Sequence, residues 1–396
     1  MVFFTLNNFT KDDGGTVRMR GILNALTQKN IEVTLLSNAQ NYAIFDNRIS
    51  HIYLDCFISK KEKRYIQTLL SISPKIFYSF IFKSLLSKIT PKVQGYREII
   101  FFEYLDNSIG YLLKSQRVID RYINDIHGIA PLEFKYKKRT LLNSIKSSIV
   151  SHLDKKVFYN GDAFWFLSRY IEEYYELLYP KIKKLENKIV PDGVNKELCF
   201  QSIDEVKMKK LYLKFDIKYN QTILFLGDFK DLGGVLDLID AYNIVIKKIP
   251  DIKLILIGDG ERFIEAQESV KRYNLEQNII FVGRIEYNEI RTYQALATII
   301  VCPDKEHIFS HLIPHIKYFD SLISGKIVIN GAFKCIKDIN EHQRYSINFE
   351  PSNIVDLADK IIYSFNNLDI LESKYKNNKN IICNNFSYNH SIDSLL

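Results

Sequence analysis

The strongest constraint on this chain is an alternation that runs through its second half. Short apolar runs each stop at glycine or a polar loop, and segments with helical spacing separate them. Residues 221–226 stop at Gly227, 253–257 at Gly258-Asp259-Gly260, and 278–282 at Gly283. Residues 235–248, 261–273 and 287–296 carry the helical spacing in between. This pattern predicts a parallel sheet wound with helices, and the glycines mark the C-terminal edge of the sheet as the functional edge.

The first half opens the same way. Residues 2–6 read as a buried strand, a polar loop reaches Gly14-Gly15, residues 17–28 have helical spacing, and 31–36 return as a strand. Gly14 and Gly15 would let the backbone approach a ligand closely, with the positive end of the helix behind them. A plain turn also takes Gly-Gly, and no full GxGxxG is present. Strands follow at 51–54, 98–103 and 119–123, with a helix at 107–114. The last of these strands runs into Asn124-Asp125-Ile126-His127-Gly128, which places His127 where Rossmann-like sheets display chemistry. A structural histidine is the alternative. A strand at 163–167 leads to Ser168, a cap for a helix over 169–178.

The turn-rich stretch 191–195 divides the chain. We expect an α/β protein of two Rossmann-like doubly wound domains facing across a cleft: residues 1–192, residues 193–375, and a segment 376–396 that crosses back. A chain of 396 residues is also too long for one ordinary core.

Residues 299–330 form the central unit of the second half: an apolar run, a polar loop, an amphipathic segment 314–324, Gly325 and another strand. Pro314 suits the first turn of a helix and Gly325 the residue past its end. Lys317 and Asp320 share a face there. Near a helix N-terminus, a cation and a carboxylate could hold a diphosphate and a ribose, the two handles of a nucleotide-sugar. A solvated ion pair on an ordinary helix is the alternative.

Five scattered cysteines without a CxxC pair argue against a disulfide framework or a zinc site and suit a reducing cytosol. No signal segment or bilayer-length apolar run is apparent, so a soluble or peripheral protein is expected. The net charge of +8 is concentrated: between Lys60 and Arg97, nine basic residues face one acid, Glu62, with aromatic and aliphatic residues interleaved. Residues 60–97 are therefore either a basic amphipathic surface for anionic lipid or a helical hairpin with wet lysines. No nucleic-acid module accompanies the charge.

In order and spacing these features resemble the family 4 glycosyltransferases of the GT-B fold. The resemblance rests on Gly14-Gly15, Asp125-Ile126-His127-Gly128, the WFLSRY run 165–170, VPDGVN at 190–195, LILIGDG at 254–260, NIIFVG at 278–283 and PHIKYFDSLISGKIVI at 314–329. Ser387-Tyr388 resembles the lead into the terminal helix. The resemblance implies retaining transfer of a sugar from UDP- or GDP-sugar, without metal or cofactor, to a hydroxyl of a glycan or lipid-linked acceptor. It implies a role in surface polysaccharide synthesis, in the cytoplasm or at the inner face of the plasma membrane. It also implies site roles: His127 on the donor sugar, Asp320 on the ribose, Lys317 on the diphosphate or acceptor side, with Gly14, Gly15 and Pro314 lining the site. Three features depart from the family. Asp228 and Gly233 stand where an arginine and a lysine normally hold the diphosphate, the signature acid is Asp320 rather than glutamate, and Leu312 replaces an earlier acid. Lys230, Lys317 or the amides of Gly233 and Gly234 would have to compensate. The alternative is an inactive GT-B-fold binding or partner subunit.

Overall fold

The computed structural model describes all residues except 11–13, 42–44, 133–140, 195 and 219, so Asn195 of the dividing turn lies outside the described residues. The chain forms two compact units, one of Met1–Asp192 with Tyr388–Leu396 and one of Gly193–Ser387. The return to the first unit begins at Tyr388; residues 376–387 stay with the second.

The first unit is built on seven parallel strands: β1 (Val2–Phe4), β2 (Thr34–Ser37), β3 (Ser50–Tyr53), β4 (Glu98–Phe101), β5 (Arg121–Ile126), β6 (Ala163–Phe166) and β7 (Glu186–Ile189). Their spatial order is β3-β2-β1-β4-β5-β6-β7, so the winding reverses between β1 and β4. Strand β6, next to the edge, is buried at every residue, because helices cover both its faces. The edge strand β7 has the polar sequence ENKI and is half-exposed, which is why apolar periodicity alone does not find it. Ser168 caps the helix Arg169–Leu178 as its residue type predicts, accepting a 3.1 Å hydrogen bond from the Ile171 amide.

The second unit has six parallel strands: β8 (Thr222–Leu226), β9 (Lys253–Ile257), β10 (Ile279–Gly283), β11 (Ile299–Cys302), β12 (Ile327–Gly331) and β13 (Ile347–Phe349). Their order is β10-β9-β8-β11-β12-β13, with the reversal between β8 and β11. Ile223, Leu254, Leu256, Ile299, Ile327 and Ile329 are fully buried in its core. Each such side chain stabilises the fold by roughly 1.5–3 kcal/mol relative to exposure.

Two expectations change. Cys199 and Cys383 form a disulfide across 184 residues, joining the helices Lys196–Phe200 and Asn378–Asn385 of the second unit. Residues scattered in sequence met in space, which spacing could not reveal. In the basic region, Ile66, Leu70, Tyr78 and Phe82 are core, as a hairpin requires. Yet Tyr65, Ile72, Ile76, Phe77 and Phe80 remain exposed, Ile76 and Phe80 at 79% and 84%. Among the described residues, no helix is long and apolar enough to cross a membrane.

Candidate functional site

In each unit the candidate polar residues lie at the C-terminal ends of the strands, where open α/β sheets bind ligands. In the second unit these ends lead into the loops after β8 and β11. Gly234 has φ +68°, and a Cβ there would lie 1.7 Å from the Pro303 carbonyl oxygen. Only glycine permits this approach, which locks the two loops together. The Lys305 amide adds a 3.0 Å hydrogen bond to the Leu232 carbonyl. Gly234 thus packs directly against Pro303.

Lys317 leaves the helix Ile316–Leu322 and runs back to the strand ends. Its Nζ lies 2.6 Å from Asp304 Oδ1 and 5.7 Å from the centre of the Phe225 ring, and its aliphatic part passes beside Gly227. The cation therefore pairs with Asp304 of the β11 loop, a residue that helical spacing did not suggest, and not with Asp320. Asp320 is 5% exposed, and its backbone carbonyl accepts a 2.6 Å hydrogen bond from Gln294 Nε2. Pro314 does not occupy the first turn: the helix starts at Ile316 with His315 as its cap, so the proline directs the entering chain instead. Gly325 follows the helix with φ +71°, as its position predicts.

Asp228 does not stand as an isolated negative charge. Lys230 Nζ lies 2.7 Å from it and Arg284 at 3.8 Å, all with substantial exposure. The amides expected to compensate are engaged elsewhere: Gly233 donates to the Lys230 carbonyl and Gly234 to the Asp231 carbonyl, closing the turn. The cations beside Asp228 are Lys230 on its own loop and Arg284 after β10.

In the first unit, Gly14 and Gly15 form the first turn of the helix Gly14–Gln28 rather than a loop ahead of it. One turn further on, Arg18 is 1% exposed. It grips Asp125 at the end of β5 with two hydrogen bonds, Nε at 3.0 Å and one terminal nitrogen at 2.7 Å. It also donates to Asp192 at 3.0 Å and to the Val190 carbonyl at 2.8 Å. Asp125 Oδ2 in turn faces His127 Nδ1 at 3.1 Å. The His127 side chain is about a quarter exposed, whereas Asp125 is closed off from solvent.

The charges follow from this geometry. Burial opposes ionisation of Asp125, but Arg18 and then His127 outweigh it and hold the carboxyl below its ordinary range. Burial likewise raises Asp192 against the pull of Arg18, which it meets through only one hydrogen bond. Burial opposes protonation of His127, and the hydrogen bond and charge of Asp125 overcome it, so the imidazole is raised. A partly exposed imidazole with a carboxylate behind it can donate to, or hold, a polar ligand. Sequence reasoning selected His127 and missed Arg18 and Asp192, whose residue types carried no periodic signal.

Among the described residues, no group of three or more His, Cys, Asp or Glu could hold a metal ion. Residues 220–367 match the family described as Glycosyl transferases group 1. Alpha-monoglucosyldiacylglycerol synthase of Streptococcus pneumoniae is 24% identical over 189 residues, 47% of this chain and 41% of that protein. The chain aligns with only about two fifths of the length of such curated relatives. Solved structures match over the whole chain. Sucrose-phosphate synthase from Thermosynechococcus elongatus has a TM-score of 0.72 at 17% identity, covering 98% of this chain and 95% of that one. The Anabaena HepE protein, in complex with UDP and glucose, has a TM-score of 0.72 at 13% identity, covering 100% and 97%. At these identities the likeness establishes the fold, two doubly wound units of GT-B type.

Proposed function

We propose that this chain, a GT-B-fold protein carrying a group 1 glycosyltransferase domain over residues 220–367, transfers a sugar from a nucleotide-sugar donor to an acceptor hydroxyl. The observation that carries this reading is Lys317, held by Asp304 at the strand ends beside the winding reversal of the second unit. A cation there can meet the diphosphate, whose negative charge grows as the bond from the sugar breaks. His127 of the first unit, raised by Asp125, is the donor-sugar residue in this reading, and Asp320 is the ribose acceptor. A UDP-sugar is favoured over a GDP-sugar, because the HepE structure of the same fold holds UDP and glucose. Transfer with retained configuration, and without metal or cofactor, belongs to the same proposal. The pairing of Asp228 with Lys230 and Arg284 supports this reading over an inactive partner subunit.

The acceptor in this reading is lipid-linked, as in surface polysaccharide synthesis. Exposed Ile76, Phe77 and Phe80 beside exposed Lys75 and Lys83 support it, since apolar side chains flanked by cations suit an anionic bilayer surface. The purified chain is assayed with UDP- and GDP-sugars, with and without anionic vesicles. Release of free nucleotide from one donor is expected, lost by at least tenfold in His127→Ala and Asp320→Ala, with vesicle flotation at low salt. A folded chain that neither releases nor binds UDP or GDP has no such activity.

A further inference from the structure

The cluster around Arg18 draws on four separate stretches of the first unit. Arg18 comes from the first helix, Asp125 and His127 from the end of β5, and Asp192 from the segment after β7. Tyr388 comes from the returning chain, its hydroxyl 3.4 Å from Asp192. The Tyr388 ring lies against Gly21, where a Cβ would come within 2.2 Å of it, so the returning chain is pressed onto the same helix. Among the described residues, Asp125, Arg18 and Asp192 are the charged groups that bear on His127. Arg18, Asp125 and Asp192 together sum to one negative charge, and a proton on His127 makes the cluster neutral. A buried cluster with no net charge avoids the desolvation cost of an uncompensated ion. Among the described residues, nothing hydrogen-bonds Nε2 of His127, while Asp125 occupies Nδ1.

We infer that Arg18 and Asp192 are positioning residues for His127: Arg18 holds Asp125 against Nδ1, and Asp192 adds the negative charge that helps Asp125 keep the ring protonated against the opposing charge of Arg18, so that Nε2 is presented to substrate as a charged hydrogen-bond donor. This rests on the reading of His127 as the residue that meets the donor sugar. Arg18 sets the geometry, because its planar fork holds both oxygens of Asp125 at once. Asp192 supplies the second negative charge that the imidazolium balances. Neither touches substrate in this scheme.

The test is the titration of His127 by NMR in the full-length, histidine-labelled chain, with its signal assigned through His127→Gln. The midpoint is expected above the ordinary value of 6.5. Asp192→Asn removes one carboxylate and is expected to lower the midpoint by about one pH unit. Tyr388→Phe leaves every charge in place and keeps the wild-type midpoint. A purely structural role for Asp192 would change stability and leave the midpoint where it was, and that result overturns the inference. So does a wild-type midpoint below 6.5, which would put the cluster's proton on Asp192 and which needs no variant to fold. The titration uses no substrate, so it is decided separately from sugar transfer. Where a donor is turned over, the alkaline limb of its kcat profile should move with the midpoint.

Discussion

Each unit buries an arginine, and the two are held in opposite ways. Arg18 of the first unit is 1% exposed and meets two carboxylates and a carbonyl. Arg291 of the second is 5% exposed and, among the described residues, meets only neutral acceptors, the Gln294 side-chain oxygen at 3.1 Å and the Ile323 carbonyl at 2.9 Å. Burial accordingly lowers the proton affinity of Arg291, whereas the charge of Asp125, and of Asp192 after it, overcomes burial and raises that of Arg18. Ile323 ends the helix that carries Lys317, so Arg291 answers the negative end of that helix dipole. Arg291 is therefore a support behind a functional helix, and Arg18 the centre of a charge cluster at the functional edge. A buried cation alone does not mark a site; its partners do.

The comparison can be broken most directly at Arg18. Arg18→Met leaves Asp125 and Asp192 buried without their countercharge, and we expect a loss of about 3–5 kcal/mol. Urea unfolding gives the size, and hydrogen exchange should confine it to peptides of Met1–Asp192 and Tyr388–Leu396. A loss below about 1 kcal/mol would mean that the cluster relaxes or takes up protons without cost.

An intermediate effect concerns pH. Burial, with Glu103 beside it, raises Asp106 to about 8, and burial raises Asp154 to about 8 against the pull of Tyr175 and Tyr104. Both belong to the first unit. With ordinary values of 3.8 in the unfolded chain, the folded chain binds the extra protons between about pH 4 and 8. Stability contributed by these groups is complete below that window and is lost as pH rises through it, by about 1.4 kcal/mol per pH unit for each fully protonated group. Urea midpoints at pH 5 and pH 7.5 measure this, and Asp154→Asn should flatten the difference. A first unit that instead gains stability across the window would show that these carboxyls are ionised in the fold.

The smallest effect is expected at Arg291. Arg291→Met loses two hydrogen bonds to neutral groups but also removes a buried, unbalanced charge, so the net change should stay within about 1 kcal/mol. Urea unfolding beside Arg18→Met tests the contrast; equal losses in the two variants would erase it.

Much of this molecule is legible in its sequence. Apolar runs closed by glycine or a polar loop announced most of the strands, Ser168 announced a helix start and Gly325 a helix end, because strand burial and capping depend on residues close in the chain. His127 and Lys317 were legible as candidates for the same reason: each follows, or lies on, an element whose end the pattern defines. The helix Leu141–Asn160 and the polar edge strand β7 were not, since partial exposure blurs the apolar period on which such reading depends.

What the tertiary structure alone decided is which distant residues share a site. Arg18 and Asp192 meet across 174 residues, Asp192 and Tyr388 across 196, and Cys199 and Cys383 across 184. Lys317 took Asp304, thirteen residues away on another element, rather than Asp320 on its own helix. Local periodicity determines the elements because backbone hydrogen bonding and burial of one face act over a few residues. Charge pairing in a desolvated interior acts through space, and only the packed fold fixes those distances.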